Sequence, residues 1–382
     1  MIDIQLQPAP ESFSGFKDEL ERLFMARQQE PSTSFEWTEA LRAHHLDGDD
    51  EFLLLMGRRE HRLCLFIPMV REQLRIGWLP LINLRVIWER YNTHSDLLCE
   101  CLNERAVEIL LEGCQKVNPR WDVMRFTRVL ENSDLDRAFS RVLPCSGLRF
   151  RSRLEPPSFF LRLPDSLELY LQGRSSKFRN YLSRMEKKLR ALGSVRFVKH
   201  TSREKFSDAY NALLSVELAS WKHEHGTAIS AVPHQTTFYR ELSREAQNSG
   251  RLHLTFLMLS DLPVAYNLGM ISNGRYYYLK TSFNEIYRPQ GVATVCRARL
   301  IRMLIEEGLK EFDFPGEPYE WEKQWTHDLR WHRSFTIYNK TGMGFLYSTI
   351  GFIHNWLHRK SRKRNVEYHE PLSMRPHPDR KK

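Results

Sequence analysis

Residues 276–308, YYYLKTSFNEIYRPQGVATVCRARLIRMLIEEG, change periodicity halfway along, and that change decides the fold. Tyr276, Tyr277, Tyr278 and Leu279 are strand formers, and Asn273-Gly274 before them is a hairpin pair. Further on, Val295, Ala298, Leu300, Ile301, Leu304 and Ile305 recur at helical spacing, and Gly308 reads as a helix stop. Between the two lies Arg288-Pro289-Gln290-Gly291-Val292-Ala293. A strand, a short loop and a helix N-terminus make a phosphate-binding geometry. Unpaired amide N–H groups and the positive end of the helix dipole face the anion, and small residues let the backbone approach. An ordinary strand-to-helix turn has the same local pattern, so the rest of the chain must decide.

The 382 residues suffice for two domains, and a content of 41% hydrophobic and 27% charged residues is globular. The opening residues lack a basic segment followed by an apolar run, so no targeting segment is expected there. No apolar run reaches the roughly 18 residues of a membrane span. Six cysteines have no disulfide or metal spacing, and Cys99-x-Cys101 has no partner pair, so reduced thiols, no metal and a cytoplasmic setting are expected. The residues from His44 to Asp50 read as a polar loop, not a metal cluster. The net charge of +10 is uneven: residues 356–382 carry a net of +6, leaving about +4 for the body. This basic tail suits an anionic partner or a solvated disordered end.

Taken in order, helices are expected at 16–27 and 35–44, a hairpin at 52–56 and 63–67, strands at 74–78 and 82–88, a helix at 97–117 and a strand at 123–127. A second unit begins near Pro156-Pro157 with a strand at 159–163. In the next helix, Phe178, Leu182, Met185, Leu189 and Leu192 share one face. The other face carries Lys177, Arg179, Arg184, Lys187, Lys188 and Arg190, either a solvated face or a nucleic-acid surface. Then come a strand at 195–199, helices at 204–222 and 235–247, and strands at 252–259, 263–271 and 276–283. The loop and its helix come next, then a strand at 311–314, a short helix at 318–325 and a last strand at 334–338.

Arg288-x-x-Gly291-x-Ala293 resembles the Gln/Arg-x-x-Gly-x-Gly/Ala loop of the GNAT acyltransferases, which cradles the pyrophosphate of acetyl-coenzyme A, and the order of elements around it is similar to that fold. More narrowly, residues 161–325 look like the bacterial acetyltransferase family found beside cellulose and other exopolysaccharide genes, related to FemAB-like aminoacyltransferases. The residues carrying this are Lys177-Phe178-Arg179, Arg184 and Leu189; Glu217, Ser220, Trp221, Lys222 and Gly226; the run from Tyr287 to Gly291; and Asp313-Phe314-x-Gly316 with Tyr319 and Trp325. Where that family often has Tyr-Lys after the Asp-Phe-x-Gly segment, this chain has Tyr319-Glu320, and Lys323 is the nearest substitute. The resemblance implies an α/β (α+β) class of tandem GNAT-like units, each a mixed twisted sheet flanked by helices. A degenerate unit is expected over 1–155, an acyltransferase unit over 156–345 and a basic tail over 346–382.

It also implies acetyl-CoA, or another acyl-CoA, as co-substrate, with no metal. The expected cradle is Arg288, Gln290, Gly291, Val292, Ala293 and Thr294, with Gly291 and Ala293 leaving room for the pyrophosphate. A backbone N–H within 280–283 is the expected polariser of the thioester oxygen. Candidates to take the amine proton are Glu217, Asp313, Glu317 and Tyr319, and Tyr319 is also a candidate donor to the thiolate. Trp221 and Lys222 are expected at the acceptor pocket; Glu217 shares a helix face with Trp221, where an indole beside a carboxylate raises its pKa. A surface salt bridge or a packed tyrosine would give the same local patterns.

Three functions stay open: an acyl-CoA-dependent N-acyltransferase acting on an amino sugar, polysaccharide precursor or other small amine; an aminoacyl-tRNA-dependent transferase; and a non-catalytic component of an exopolysaccharide synthesis complex. Residues 343–357 with the basic cluster from Arg359 to Arg364 read either as a packed element with a solvated tail, or as a peripheral contact at the inner membrane face.

Overall fold

The computed structural model describes residues 2–27, 30–42, 50–86, 94–115, 120–316 and 318–350. The first half runs β1 (Asp3–Pro8), α1 (Lys17–Arg27), α2 (Phe35–Arg42), β2 (Glu51–Arg59), β3 (Arg62–Ile76), β4 (Leu79–Val86), β5 (Leu98–Cys99), α3 (Glu104–Gln115), β6 (Val123–Leu130), α4 (Asp134–Val142) and β7 (Arg149–Arg162). The second runs α5 (Leu167–Gln172), α6 (Ser176–Arg190), β8 (Val195–Lys199), α7 (Phe206–Leu218), α8 (Trp221–Glu224), α9 (Pro233–Asn248), β9 (Leu252–Leu259), β10 (Leu262–Ser272), β11 (Arg275–Phe283), α10 (Val292–Glu306), β12 (Glu311–Phe314) and β13 (Leu329–Tyr338).

Among the described residues the path β1-β2-β3-β4-β6-β13-β7-β12-β11-β10-β9-β8 forms one sheet. The expected tandem is visible in it. Each half has an antiparallel meander (β2-β3-β4 and β9-β10-β11), then a helix, then a strand parallel to the last of the meander: β4 with β6 around α3, and β11 with β12 around α10. The expectation of two separate sheets is corrected, because the halves exchange their final strands. β13 pairs with β6 of the first half, β7 pairs with β12 of the second, and β7 and β13 pair with each other from Leu329↔Phe159 to Tyr338↔Arg149. The position expected to divide the units, near 155, falls inside β7.

The core is continuous across the halves. Trp37 of α2 meets Phe238 of α9 edge-on at 5.4 Å, and Phe139 of α4 packs between Phe126 and Phe335. A second cluster, Phe159, Leu161, Tyr276, Tyr278, Phe312 and Phe314 with Leu300 and Leu304, fixes α10 against the sheet. The helix expected at 97–117 begins only at Glu104. Leu98 and Cys99 instead pair with Phe66 and Leu65, because a short apolar run serves strand and helix equally until a partner strand is present. The helix expected at 204–222 breaks at Ala219, and Ser220 caps a new short helix by accepting from the Lys222 N–H. Residues 43–49, which hold most of the polar loop expected from His44 to Asp50, Glu317 and residues 351–382 lie outside the described residues.

Candidate functional site

β11 and β12 are paired for three residues and then part. Their parallel register ends at Tyr277↔Asp313, while β11 runs on to Phe283 and β12 stops at Phe314. Just past the crotch the β10–β11 register slips: Gly269 faces Tyr278, Leu268 faces Lys280, and Leu279 is the extra residue of a β-bulge. A bulge twists its strand and re-aims the residues beyond it. The edge of β11 beyond the crotch, which contains Lys280–Phe283, is therefore free of β12 and leads to the N-terminus of α10.

At that N-terminus Gly291 sits in the left-handed region (φ 64°) and has no side chain to cap the helix. The first amides of α10, those of Val292, Ala293 and Thr294, have no intrahelical acceptor and form an anion-facing set. A Cβ on Gly291 would lie 2.6 Å from Met185 Cγ and 2.7 Å from its Sδ. The glycine is thus required by helix packing as well as by its backbone angle. Arg288 is turned away to Glu285, with Nη2 donating at 2.9 Å, and lies over the Phe283 ring. Gln290 Oε1 is buried with no hydrogen-bond partner among the described residues.

Beside this helix end opens a groove of ≈ 850 Å³ lined by Arg174, Lys177, Phe178, Tyr181, Arg184, Lys323 and His327, with no acidic residue on its wall. Tyr181 links the two features, because it lines the groove and packs in the cluster of Met185, Val292 and Val295. The basic residues of α6 read from the sequence thus divide: Lys177 and Arg184 face the groove, whereas Arg190 pairs with Glu186 on the helix surface. The floor is pinned by aromatics. Phe178 meets Trp325 edge-on at 5.2 Å, and the Arg297 guanidinium of α10 lies 3.7 Å from the Trp321 ring centre. Tyr319 is on this side, its ring parallel to Trp321 and its N–H donating to Glu322 Oε2 at 2.9 Å. Burial pushes the Glu322 carboxyl up to about 8.

The opposite face of β11 carries buried polar side chains bonded to one another. Glu217 is fully buried; Oε1 accepts from the Tyr266 hydroxyl at 2.6 Å and from Lys222 Nζ at 3.4 Å, and Oε2 accepts the Ile229 N–H. Lys222 also donates to the Thr281 carbonyl, which ties α8 to the bulged strand. Burial lowers the Lys222 pKa against the attraction of Glu217. Lys280 donates to Gln235 Oε1 at 3.2 Å and sits over the Tyr239 ring; burial, with Lys222 nearby, pulls its pKa down to about 8. Trp221 is half-buried, its N–H donating to Glu285 at 3.4 Å. Asp313 lies on this face at the crotch, fully buried. Its Oδ2 takes the Arg330 guanidinium and lies 3.3 Å from His94 Nε2. The charges of His94 and Arg330 hold its carboxyl below the usual range despite burial.

The structure therefore places Gly291, Val292, Ala293 and Thr294 at one helix end, Glu217, Trp221 and Lys222 behind the strand, Asp313 at the crotch, and Tyr319 on the α10 side. Lys280 interrupts an apolar strand, a signal present in the sequence. His94, 219 positions from Asp313, had none. Among the described residues no group of three His, Cys, Asp or Glu side chains is arranged to hold a metal, and no helix is long and apolar enough to cross a membrane.

Residues 176–323 match the family model described as an acetyltransferase (GNAT) domain. This part of the chain is thus similar to an acetyltransferase (GNAT) domain, and its fold is GNAT-like. No curated protein matches the sequence. Among solved structures, FemX superposes with a TM-score of 0.59 at 10% identity, covering 90% of this chain and 100% of that one. A conserved protein of unknown function from Bacteroides thetaiotaomicron gives 0.57 at 10% identity, covering 88% and 100%. The C-terminal domain of a putative lysylphosphatidylglycerol synthetase from Agrobacterium fabrum gives 0.55 at 13% identity, covering 88% and 96%. At these identities the likeness is one of fold.

Proposed function

We propose that the chain is an acyl-CoA-dependent N-acyltransferase, with acetyl-CoA the first donor to test, and that it transfers the acyl group directly in a ternary complex to an amino sugar, polysaccharide precursor or other small amine. The observation that carries this reading is the parting of β11 and β12 at a bulge that leads onto the uncapped N-terminus of α10. The residues fit the donor: amides 292–294 suit a pyrophosphate, the unpartnered Gln290 Oε1 suits a donor group, and the acid-free groove suits further phosphate. The thioester supplies the activated carbonyl, and the free edge of β11 supplies an N–H from 280–283 to its oxygen. Tyr319, beyond β12 on the donor side, protonates the leaving sulfur. Glu217, with both oxygens occupied, holds Lys222, and Glu285 holds Trp221, as a wall of the acceptor side. The division into 1–155, 156–345 and 346–382 belongs to this reading, as do an exopolysaccharide setting, a cytoplasmic location and a contact of the basic tail with the inner membrane face.

Native mass spectrometry of the purified protein, followed by calorimetry with acetyl-CoA, tests it. Retained coenzyme A species, or saturable acetyl-CoA binding, is expected; neither would remove the donor assignment. The groove also favours a second reading, an aminoacyl-tRNA donor, because exposed cations with aromatic rings suit a polynucleotide end. Binding of tRNA in place of acetyl-CoA would select that reading.

A further inference from the structure

Directly behind the crotch, on the face away from α10, lies a second cavity of ≈ 10 Å³, the room one water-sized group takes. It is lined by Glu30, Ser32, His94 and Tyr277, with the bulge residue Leu279 and Pro315 closing it. Both halves of the chain build it: Glu30 and His94 come from the first, β11 and the end of β12 from the second. The carboxylate at the crotch is held from one side only. Asp313 Oδ2 takes both Arg330 and His94, while Oδ1 is buried with no hydrogen-bond partner among the described residues. His94 is itself fixed, its Nδ1 2.9 Å from His332 Nε2, and His332 Nδ1 lies 3.2 Å from the Pro156 carbonyl. Because that carbonyl can only accept, His332 Nδ1 carries a proton, and burial holds the ring neutral, its pKa pushed down to about 2. His332 Nε2 then accepts from His94 Nδ1, and His94 Nε2 is taken up by Asp313 Oδ2. Neither His94 nitrogen is left for a substrate. Glu30 is the one carboxyl among the described residues lining the cavity, 3.6 Å from Arg275, and burial raises its pKa.

We propose that the acceptor amine enters the crotch through this cavity and gives its proton to Glu30, while Asp313 Oδ1 accepts a second N–H and aims the nitrogen at the split. The inference rests on the N-acyltransferase reading and assigns its base to the first half of the chain. An ammonium N–H bond breaks, its proton goes to Glu30, and the freed electron pair forms the N–C bond to the thioester carbon. The C–S bond breaks with its pair on sulfur, which takes the Tyr319 proton. The nitrogen loses two protons in all: one passes through Glu30 to solvent and the other restores Tyr319. A carboxyl of raised pKa beside a one-group cavity is suited to this step, and general-base catalysis of this kind contributes about 10²–10⁴-fold.

The test uses acetyl-CoA with two probe amines, glucosamine, which is largely protonated at neutral pH, and hydroxylamine, which is not. Glu30→Gln is expected to lower kcat with glucosamine by at least about 100-fold and to leave kcat with hydroxylamine within about threefold, with acetyl-CoA affinity unchanged. Glu30→Asp keeps the carboxylate and should recover part of the glucosamine rate; it also serves if the glutamine variant folds poorly. An equal loss with both amines, or no loss with glucosamine, overturns the role of Glu30 and leaves the donor reading standing. If the unaltered protein neither binds acetyl-CoA nor releases thiol with either amine, the donor reading falls, and this inference with it.

Discussion

The two faces of β11 treat charge in opposite ways. On the α10 side the cations of the groove, such as Lys177 and Arg184, stand in solvent without an acid on the wall. On the other side Glu217 with Lys222 and Asp313 with Arg330 are withdrawn from solvent as pairs, and Lys280 donates to Gln235. An exposed cation costs the fold little and stays available to a multiply charged ligand. A buried charge is tolerated only when paired, so the inner face can hold charges only as fixed sets. In the proposed reaction the outer face captures a polyanion and the inner face orients one small amine. Preorganisation is of use where protons move, and open charge where a large ligand must enter and leave.

The largest effect expected from breaking this contrast is on the open face. Lys177→Glu combined with Arg184→Glu removes two charge-assisted contacts of about 1.5–3 kcal/mol each. Calorimetry should show acetyl-CoA affinity falling by more than about 100-fold, with no change in melting temperature because both side chains are exposed. Unchanged affinity would move the donor out of the groove.

Gly291→Val probes the junction of the two faces. A β-branched residue there meets Met185 and is forced into the left-handed region. The backbone cost of roughly 1–2 kcal/mol and an overpacking cost of roughly 1–3 kcal/mol should together lower stability by about 2–5 kcal/mol, read from the denaturant midpoint. A variant that loses acetyl-CoA binding at an unchanged midpoint would show that Gly291 serves the ligand alone.

Titration separates the faces by sign at smaller amplitude. Glu322, on the α10 side, is raised from 4.5 to about 8, so between these values the folded chain holds a proton that the unfolded chain has lost, and stability falls as pH rises. Lys280, on the inner face, is lowered from 10.5 to about 8, so between about 8 and 10.5 the unfolded chain holds the extra proton and stability rises with pH. In melts across pH 5–10, Glu322→Gln should flatten the lower slope and Lys280→Gln the upper one. The same slopes in the variants as in the parent would show that these groups are not the titrating ones.

Periodicity and turn chemistry were enough to locate β9, β10, β11 and α10, because their signals are local: the Asn273-Gly274 hairpin, the aromatic run behind it and the apolar stripe closed by Gly308. The loop at Gly291 was legible for the same reason. Ser133 and Ser166 cap α4 and α5, two helices absent from the expected order of elements: in α4 Leu135, Ala138, Phe139 and Val142 do recur at helical spacing, but only within nine residues, and α5 is six residues long. The exchange of β7 and β13 between the halves was not legible. Pairing Leu329 with Phe159 brings together residues 170 apart, and either strand alone fits a sheet of its own half equally well. Nor could the sequence bring Glu30, His94 and His332 to Asp313. A single histidine or glutamate has no period, and what selects it is the surface it is buried against. The sequence by itself determined the meander, the bulged strand's aromatic face and the anion-ready helix end. Tertiary structure decided which charges stay in water and which are buried in pairs, because burial and pairing depend on segments far apart in the chain.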